Sequence, residues 1–441
     1  MQPWRGRIGR VLRAGPSRRR LFDIGTSLGA RGLEAGAKFG LYALAARGLG
    51  GHDAGRFFLA LSLVHIVGTL GRLGLEKPLT RHVAAELGIG RPRDALDTAL
   101  RGGLVVLAAS TGAAILLATI GPVVAREVLS RADLEPVLWL IALIVPIQNT
   151  AYAMAYVLIG LERSVAAQVV MNALTPLVCL IAMVFGVRSL DGLLTTYALA
   201  YAGCVVLGGA VLLAEIKRPR VESALQHAPL PSLRVSAMPL FVVETAQAAL
   251  LSVPVLLLGA FADPTSVSVF SLCNRLSMLV ATVVLSLGAM AAPAYARHYR
   301  LGQWAALRRE DDRNRLASAS IGLPLILALA VGAAPLLNAL GVDPAAGVPV
   351  LLILLAGQLV FCLLPSQDLI LAMAGEGRVL RTLSLWQLAL CTCLCVLVIP
   401  IAGPVGAALV SSGTWMLGAI SLALAVRRRI PQLRQRAGEP V

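Results

Sequence analysis

Long apolar runs separated by short charged segments follow one another along the whole chain. A helix of about 20 apolar residues crosses the hydrocarbon core of a bilayer. On that measure the pattern predicts twelve spans, at 21–46, 55–75, 102–124, 136–160, 165–187, 191–214, 236–261, 266–292, 316–340, 347–374, 379–400 and 404–426. The longest connections, 76–101, 215–235 and 293–315, are too short for a folded soluble domain. The fold class expected is an all-α polytopic membrane protein.

The segment 215–235 divides the spans six and six, and an internal repeat supports the division. Pro78, Gly160 and Arg163 recur as Pro293, Gly375 and Arg378 at a constant offset, and "PLTRH" at 78–82 resembles "PAYARH" at 293–298. Six spans repeated in parallel place two pseudo-symmetric lobes around an axis along the membrane normal, with a central cavity between them. The expected organisation is a basic cytoplasmic segment 1–20, an N-terminal lobe 21–214, a cytoplasmic linker 215–235, a C-terminal lobe 236–426 and a basic tail 427–441. The first segment reads equally as a short interfacial helix on an anionic leaflet or as a basic tail.

Composition agrees: 57% of the 441 residues are apolar, 14% are charged, and the mean hydropathy is +0.79. The net charge of +16 raises nucleic acid as a partner. The basic residues instead fall between apolar runs, where they meet lipid headgroups. By alternate loops, thirty Lys and Arg lie on the side of both termini and five on the other. Both termini are therefore expected in the cytoplasm. All seven cysteines fall within spans as small apolar residues, and the three of "CTCLC" point in different directions on one helix.

The first span departs from the apolar pattern. Asp23, Ser27, Arg31, Glu34 and Lys38 share one helical sector of roughly 80°, and Gly25, Gly29, Gly32, Gly36 and Gly40 form a narrow small-residue face suited to close helix approach. A charge at the bilayer centre costs about 2.5–3.5 kcal/mol on the insertion scale, so these charges need partners or water. Two readings stand: a self-neutralising ladder, with Glu34 pairing Arg31 and Lys38, or one wall of a wet cavity. Further polar residues fall within other spans: His65, Arg72, Gln148, Asn149, Asn172, Glu244, Gln247, Asn274, Arg275, Gln358, Gln367 and Asp368. Arg275 lies too deep to snorkel comfortably. Arg72 and Asp368 are near enough the span ends to do so, His65 fits an interhelical donor as well as a proton relay, and Asn172 fits helix glue. Glu34 and Glu244 occupy equivalent places when Asp53 and Asp263 are aligned. No nucleotide-binding loop or metal-ligand motif is present in the sequence, so neither a cofactor nor a metal is expected.

At "YALAARGLGGHDAGRFFLALSLVHIVGTLGRLGLEKPLTRHVAAELG", 42–88, the chain resembles the polysaccharide transporter family of Wzx-type O-antigen and exopolysaccharide flippases, within the multidrug/oligosaccharidyl-lipid/polysaccharide exporter superfamily. The resembling features are Leu49-Gly50, Gly55-x-Phe57, Leu73-Gly74-Leu75 and Arg81 followed by Ala84-Ala85; "VLIGLERSVAAQVVMNAL" at 157–174 and "ILAMAGEGRVLRTLSLW" at 370–386 resemble two further helix exits. The resemblance implies a two-lobe, non-enzymatic transporter of the bacterial inner membrane. It would move an undecaprenyl-pyrophosphate-linked oligosaccharide between leaflets and deliver it to a polysaccharide polymerase. On that reading Arg31, Lys38 and Arg275 bind the anionic substrate and Glu34 and Glu244 balance charge or couple transport to H+ or Na+. His65, Gln148, Asn149, Gln247, Asn274 and Asp368 complete the cavity. The acidic residues leave a second reading open, a cation-coupled exporter of small molecules. A membrane-embedded enzyme would carry a large extramembrane loop with carboxylates or histidines, and the loops are short and basic.

Overall fold

The computed structural model describes Glu34 and residues 36–88, 91–128, 135–161, 163–216 and 233–434. Arg31, the stripe residues Asp23 and Ser27, the segment 1–20, most of the linker and the end of the tail lie outside the described residues. Among those described, the chain is a succession of helices with no strand.

Helix α1 is described over 36–48, with Glu34 also helical. It is followed by α2 (Gly50–Arg72), α3 (Glu76–Gly88), α4 (Pro92–Val123, prolonged by a π-helical turn Val124–Val128) and α5 (Glu135–Gly160). Helix α6 has three pieces, Ser164–Gln168, a π-helical Val169–Ala173 and Leu174–Val184, and α7 (Leu190–Ile216) closes the first lobe. The second lobe holds α8 (Leu233–Phe261), α9 (Pro264–Arg300), α10 (Trp304–Val331), α11 (Ala333–Ala339), α12 (Pro344–Leu363), α13 (Gln367–Met373) and α14 (Gly377–Arg429).

Ten of these helices are long and apolar enough to cross a membrane. One of them is two spans. The 53 residues of α14 turn back at Gly403, whose φ of 51° and ψ of −132° suit only glycine. Gln387 Nε2 donates to the Thr414 carbonyl at 3.0 Å, whereas a straight helix would hold those residues ~40 Å apart. With α1, the twelve expected spans are accounted for.

The boundaries differ where polar residues continue a helix. The expected loop 76–101 is largely helical, as α3 and the start of α4, and 293–315 consists of the end of α9, a short turn and the start of α10. Hydropathy marks where lipid ends, whereas backbone hydrogen bonding carries a helix on into water. The expected single span 347–374 is broken between α12 and α13, where Pro365 cannot donate and Ser366 takes a left-handed conformation (φ 58°). The starts of α9 and α12 are capped alike: the Asp263 and Asp343 carboxylates accept from backbone amides at 3.1 and 3.0 Å, each ahead of a proline at the first helical position.

The lobes meet through α2, which packs against both α8 and α9. At one end Gly55 lies so near the Pro264 carbonyl that any side chain there would collide with it. At the other, Gly74 (φ +67°) lies against the Phe241 backbone. Ala237 of α8 also joins the N-lobe cluster of Leu75, Leu79, Val106 and Ala153. The internal repeat is visible in these elements: "PLTRH" lies on α3 and "PAYARH" on the last turns of α9. The N-terminal lobe breaks its helix at Leu73 and Gly74, both at positive φ, while the C-terminal lobe runs on unbroken.

A charged and aromatic cleft between the lobes

Spacing of four along α1 puts Glu34, Lys38 and Tyr42 on one face. Lys38 Nζ is 2.6 Å from Glu34 Oε1, and both side chains keep partial exposure, 36% and 19%. The second Glu34 oxygen accepts from Gln168 Nε2, and Gln168 Oε1 accepts from Asn172 Nδ2 at 3.4 Å. Asn172 lies within the π-helical stretch of α6 and Gln168 immediately before it, a distortion that recurs at functional sites.

From the opposite lobe, α9 brings Arg275 to this face. Its guanidinium carbon stands 3.8 Å from the Tyr42 ring centroid and 5.2 Å from that of Phe58, and the two rings meet edge to face at 6.0 Å. Such stacking holds a guanidinium in place without neutralising it. Among the described residues no carboxylate lies within ion-pair distance of Arg275. His65 on α2 is exposed although Val64 and Gly68 beside it are buried, and it stands within electrostatic reach of Lys38, Arg72 and Arg275. Gln247 on α8 is likewise exposed, and Asn274, next to Arg275, is half-buried.

Other expected cavity residues lie elsewhere. Asn149 is fully enclosed: its Oδ1 accepts from Arg72 Nη1 at 3.0 Å, and its Nδ2 donates to the Gly68 carbonyl (2.9 Å) and to Ser110 Oγ (2.7 Å). Arg72 does not snorkel. It is buried and donates from Nε to Glu76 at 2.6 Å and from Nη2 to Thr69 at 2.8 Å, with Tyr152 beneath it at 5.0 Å. Gln148 is buried too, its carbonyl oxygen without a partner among the described residues. Arg72 and Asn149 bond within the N-terminal lobe, and all three are buried, not open to the cleft. Asp368 is half-buried at the start of α13, beside Ser366, which contacts Gly288. Gly288 lies thirteen residues, ~20 Å of helix, along α9 from Arg275, so Asp368 is not brought to that group. Glu244 pairs across the lobes with Lys77 of α3 at 2.6 Å, with 26% and 67% of the respective side chains exposed. The aromatic residues Tyr42, Phe58, Tyr152 and Tyr197 and the amide of Gln168 are additions. The sequence signal for Tyr42 was its place four residues after Lys38 on the polar stripe.

This fold of two lobes of apolar helices is shared with solved transporters of the MOP superfamily. An inward-facing multidrug resistance MATE family transporter superposes with a TM-score of 0.70 at 14% identity, covering 92% of this chain and 96% of that one. The lipid II flippase MurJ in an inward closed conformation gives 0.69 at 11% identity, covering 92% and 87%. A superfamily transporter from Pyrococcus furiosus, described as having a binding pocket of reverse polarity, gives 0.64 at 14% identity, covering 93% and 94%. No curated protein matches the chain by sequence. The family profile described as polysaccharide biosynthesis protein matches residues 22–298, and the chain belongs to that family.

Proposed function

We propose that the protein is a flippase carrying a polyprenyl-diphosphate-linked oligosaccharide, in bacteria the undecaprenyl form, across the inner membrane by alternating access. The observation that carries this reading is Arg275: a fixed guanidinium in the inter-lobe cleft, stacked on Tyr42 and Phe58 and left unneutralised by any described carboxylate. A diphosphate entering hydrocarbon alone meets a large desolvation cost. Cations in a polar cleft offset that cost while the prenyl tail stays in lipid. Lys38 lies on the same face of α1 as Tyr42, on which Arg275 stacks, and Arg31, seven residues earlier in the sequence, is assigned the same role. Glu34 keeps Lys38 paired in the empty state and yields it to the anion. Both termini face the cytoplasm, and a polysaccharide polymerase at the far leaflet is the class of partner that consumes the product.

The decisive variants are Arg275→Ala and Lys38→Ala. Each removes charge-assisted hydrogen bonds worth about 1.5–3 kcal/mol and should lower surface polysaccharide or liposomal transport about tenfold or more, with normal protein accumulation. Full transport in both would remove the basis for an anionic substrate. A second reading, a cation-coupled exporter, draws on the half-buried Glu34 carboxylate. Unchanged transport and pH dependence in Glu34→Gln and Glu244→Gln would remove carboxylate coupling.

A further inference from the structure

The cleft has two chemically different walls. The Arg275 guanidinium offers hydrogen-bond donors only, the complement of phosphate oxygens. The N-terminal wall offers both kinds: Glu34 accepts, and the Gln168 and Asn172 amides both donate and accept. Lys38 on the same wall pairs with Glu34. Next to these groups stand Tyr42, Tyr152 and Tyr197, all partly exposed, with Tyr201 buried behind them, 5.1 Å from Tyr197 and 6.3 Å from Tyr152 between ring centroids. Tyr152 and Tyr197 flank Tyr201 and pack against the cluster that holds Ala167 and Val170 of α6, next to Gln168. Tyr42 carries Arg275 over its ring at 3.8 Å, and Tyr152 carries Arg72 at 5.0 Å.

Aromatic faces beside mixed donors and acceptors suit a ligand with apolar C–H faces and hydroxyls, a sugar ring. We propose that Tyr152 and Tyr197, with Glu34, Gln168 and Asn172, form a saccharide subsite for the first sugar after the diphosphate, whose phosphates lie at Arg275 and Lys38. The placement follows from charge: the anionic linker takes the two cations, Arg275 and Lys38, and the neutral, hydroxyl-bearing part of the substrate takes the amides and rings beside them. The π-helical stretch of α6 follows directly on Gln168, whose amide reaches Glu34 of α1, and it contains Asn172, which donates to Gln168. This subsite rests on the flippase reading.

The test uses the full chain in lipid nanodiscs and two kinds of probe: undecaprenyl diphosphate without sugar, and the same lipid carrying one glucose, galactose or N-acetylglucosamine. At least one sugar-bearing probe should bind wild type more tightly than the bare lipid. Tyr152→Leu and the double variant Gln168→Ala/Asn172→Ala should each cut that advantage about two- to tenfold, the scale of one aromatic contact or hydrogen bond, and leave bare-lipid binding unchanged. Tyr152→Phe, which keeps the ring, should retain most of it, and Arg275→Ala should weaken all probes alike. Equal binding of every probe by wild type, or losses that are the same with and without sugar, would overturn the subsite and leave the flippase reading standing. Binding of none of the probes by wild type would overturn both.

Discussion

Three arginines and lysines in this molecule show how neighbours decide what a charge does. Arg72 is buried, with its charge met by Glu76 and further donors met by Asn149 and Thr69, so it serves the lobe's integrity. Lys38 is half-exposed with one partner, and Arg275 lies on aromatic rings with no described carboxylate near it. Breaking a buried ion pair costs about 3–5 kcal/mol because the remaining charge is stranded. Glu76→Ala should therefore lower the unfolding temperature in detergent and reduce accumulation sharply. Asn149→Ala should cost less, about 1–3 kcal/mol, the penalty for orphaning its partners. Arg275→Ala should leave the unfolding temperature nearly unchanged. A similar loss of stability in all three would mean that Arg275 is structural.

At the scale of elements, the pairing of α3 with α8 is expected to act as a latch. Lys77 and Glu244 pair across the lobes beside the close approach of Gly74 to Phe241, at the end of the cleft that the basic loops assign to the cytoplasm. Because Lys77 is largely exposed, the pair contributes only about 0.2–1 kcal/mol. Removing it should shift opening at that end modestly, roughly one- to fivefold. Exposed Gln247 supplies the reporter: in a Gln247→Cys chain with Cys393 replaced, a water-soluble maleimide should label faster after Lys77→Glu, and Glu244→Lys added to it should restore the original rate. Equal rates in all three would remove the latch. The sequence placed Glu244 on the first helix of its lobe. Its partner lies 167 residues away, which no local pattern reveals.

For the whole molecule, the division of basic residues between alternate loops predicts sidedness. Reporter fusions after Arg188 and Asp343 should read periplasmic, and those after Arg163 and Arg309 cytoplasmic. The positions alternate across successive turns of the fold: Arg188 precedes α7 and Asp343 caps α12, while Arg163 precedes α6 and Arg309 lies in the first turns of α10. A reversed reading at any one would break the orientation and, with it, the direction of transport proposed here.

The count of the spans and the shared face of Glu34 and Lys38 on α1 were legible in the residues, because each depends on apolar runs and helical spacing within one segment. Helical spacing also put Lys38 and Tyr42 on a common face. The helical wheel gives direction along one helix and nothing about what stands opposite. Only the packed lobes decided that Asn149 would be sealed against Arg72 and Gly68 while Gln247 stayed exposed, and that Arg275 would find two aromatic rings rather than a carboxylate. The break at Ser366 and the hairpin at Gly403 likewise depend on backbone torsions and on contacts between helices. Apolar burial is set by composition along the chain, whereas the pairing of a polar group in a low-dielectric interior is set by whichever distant segment reaches it.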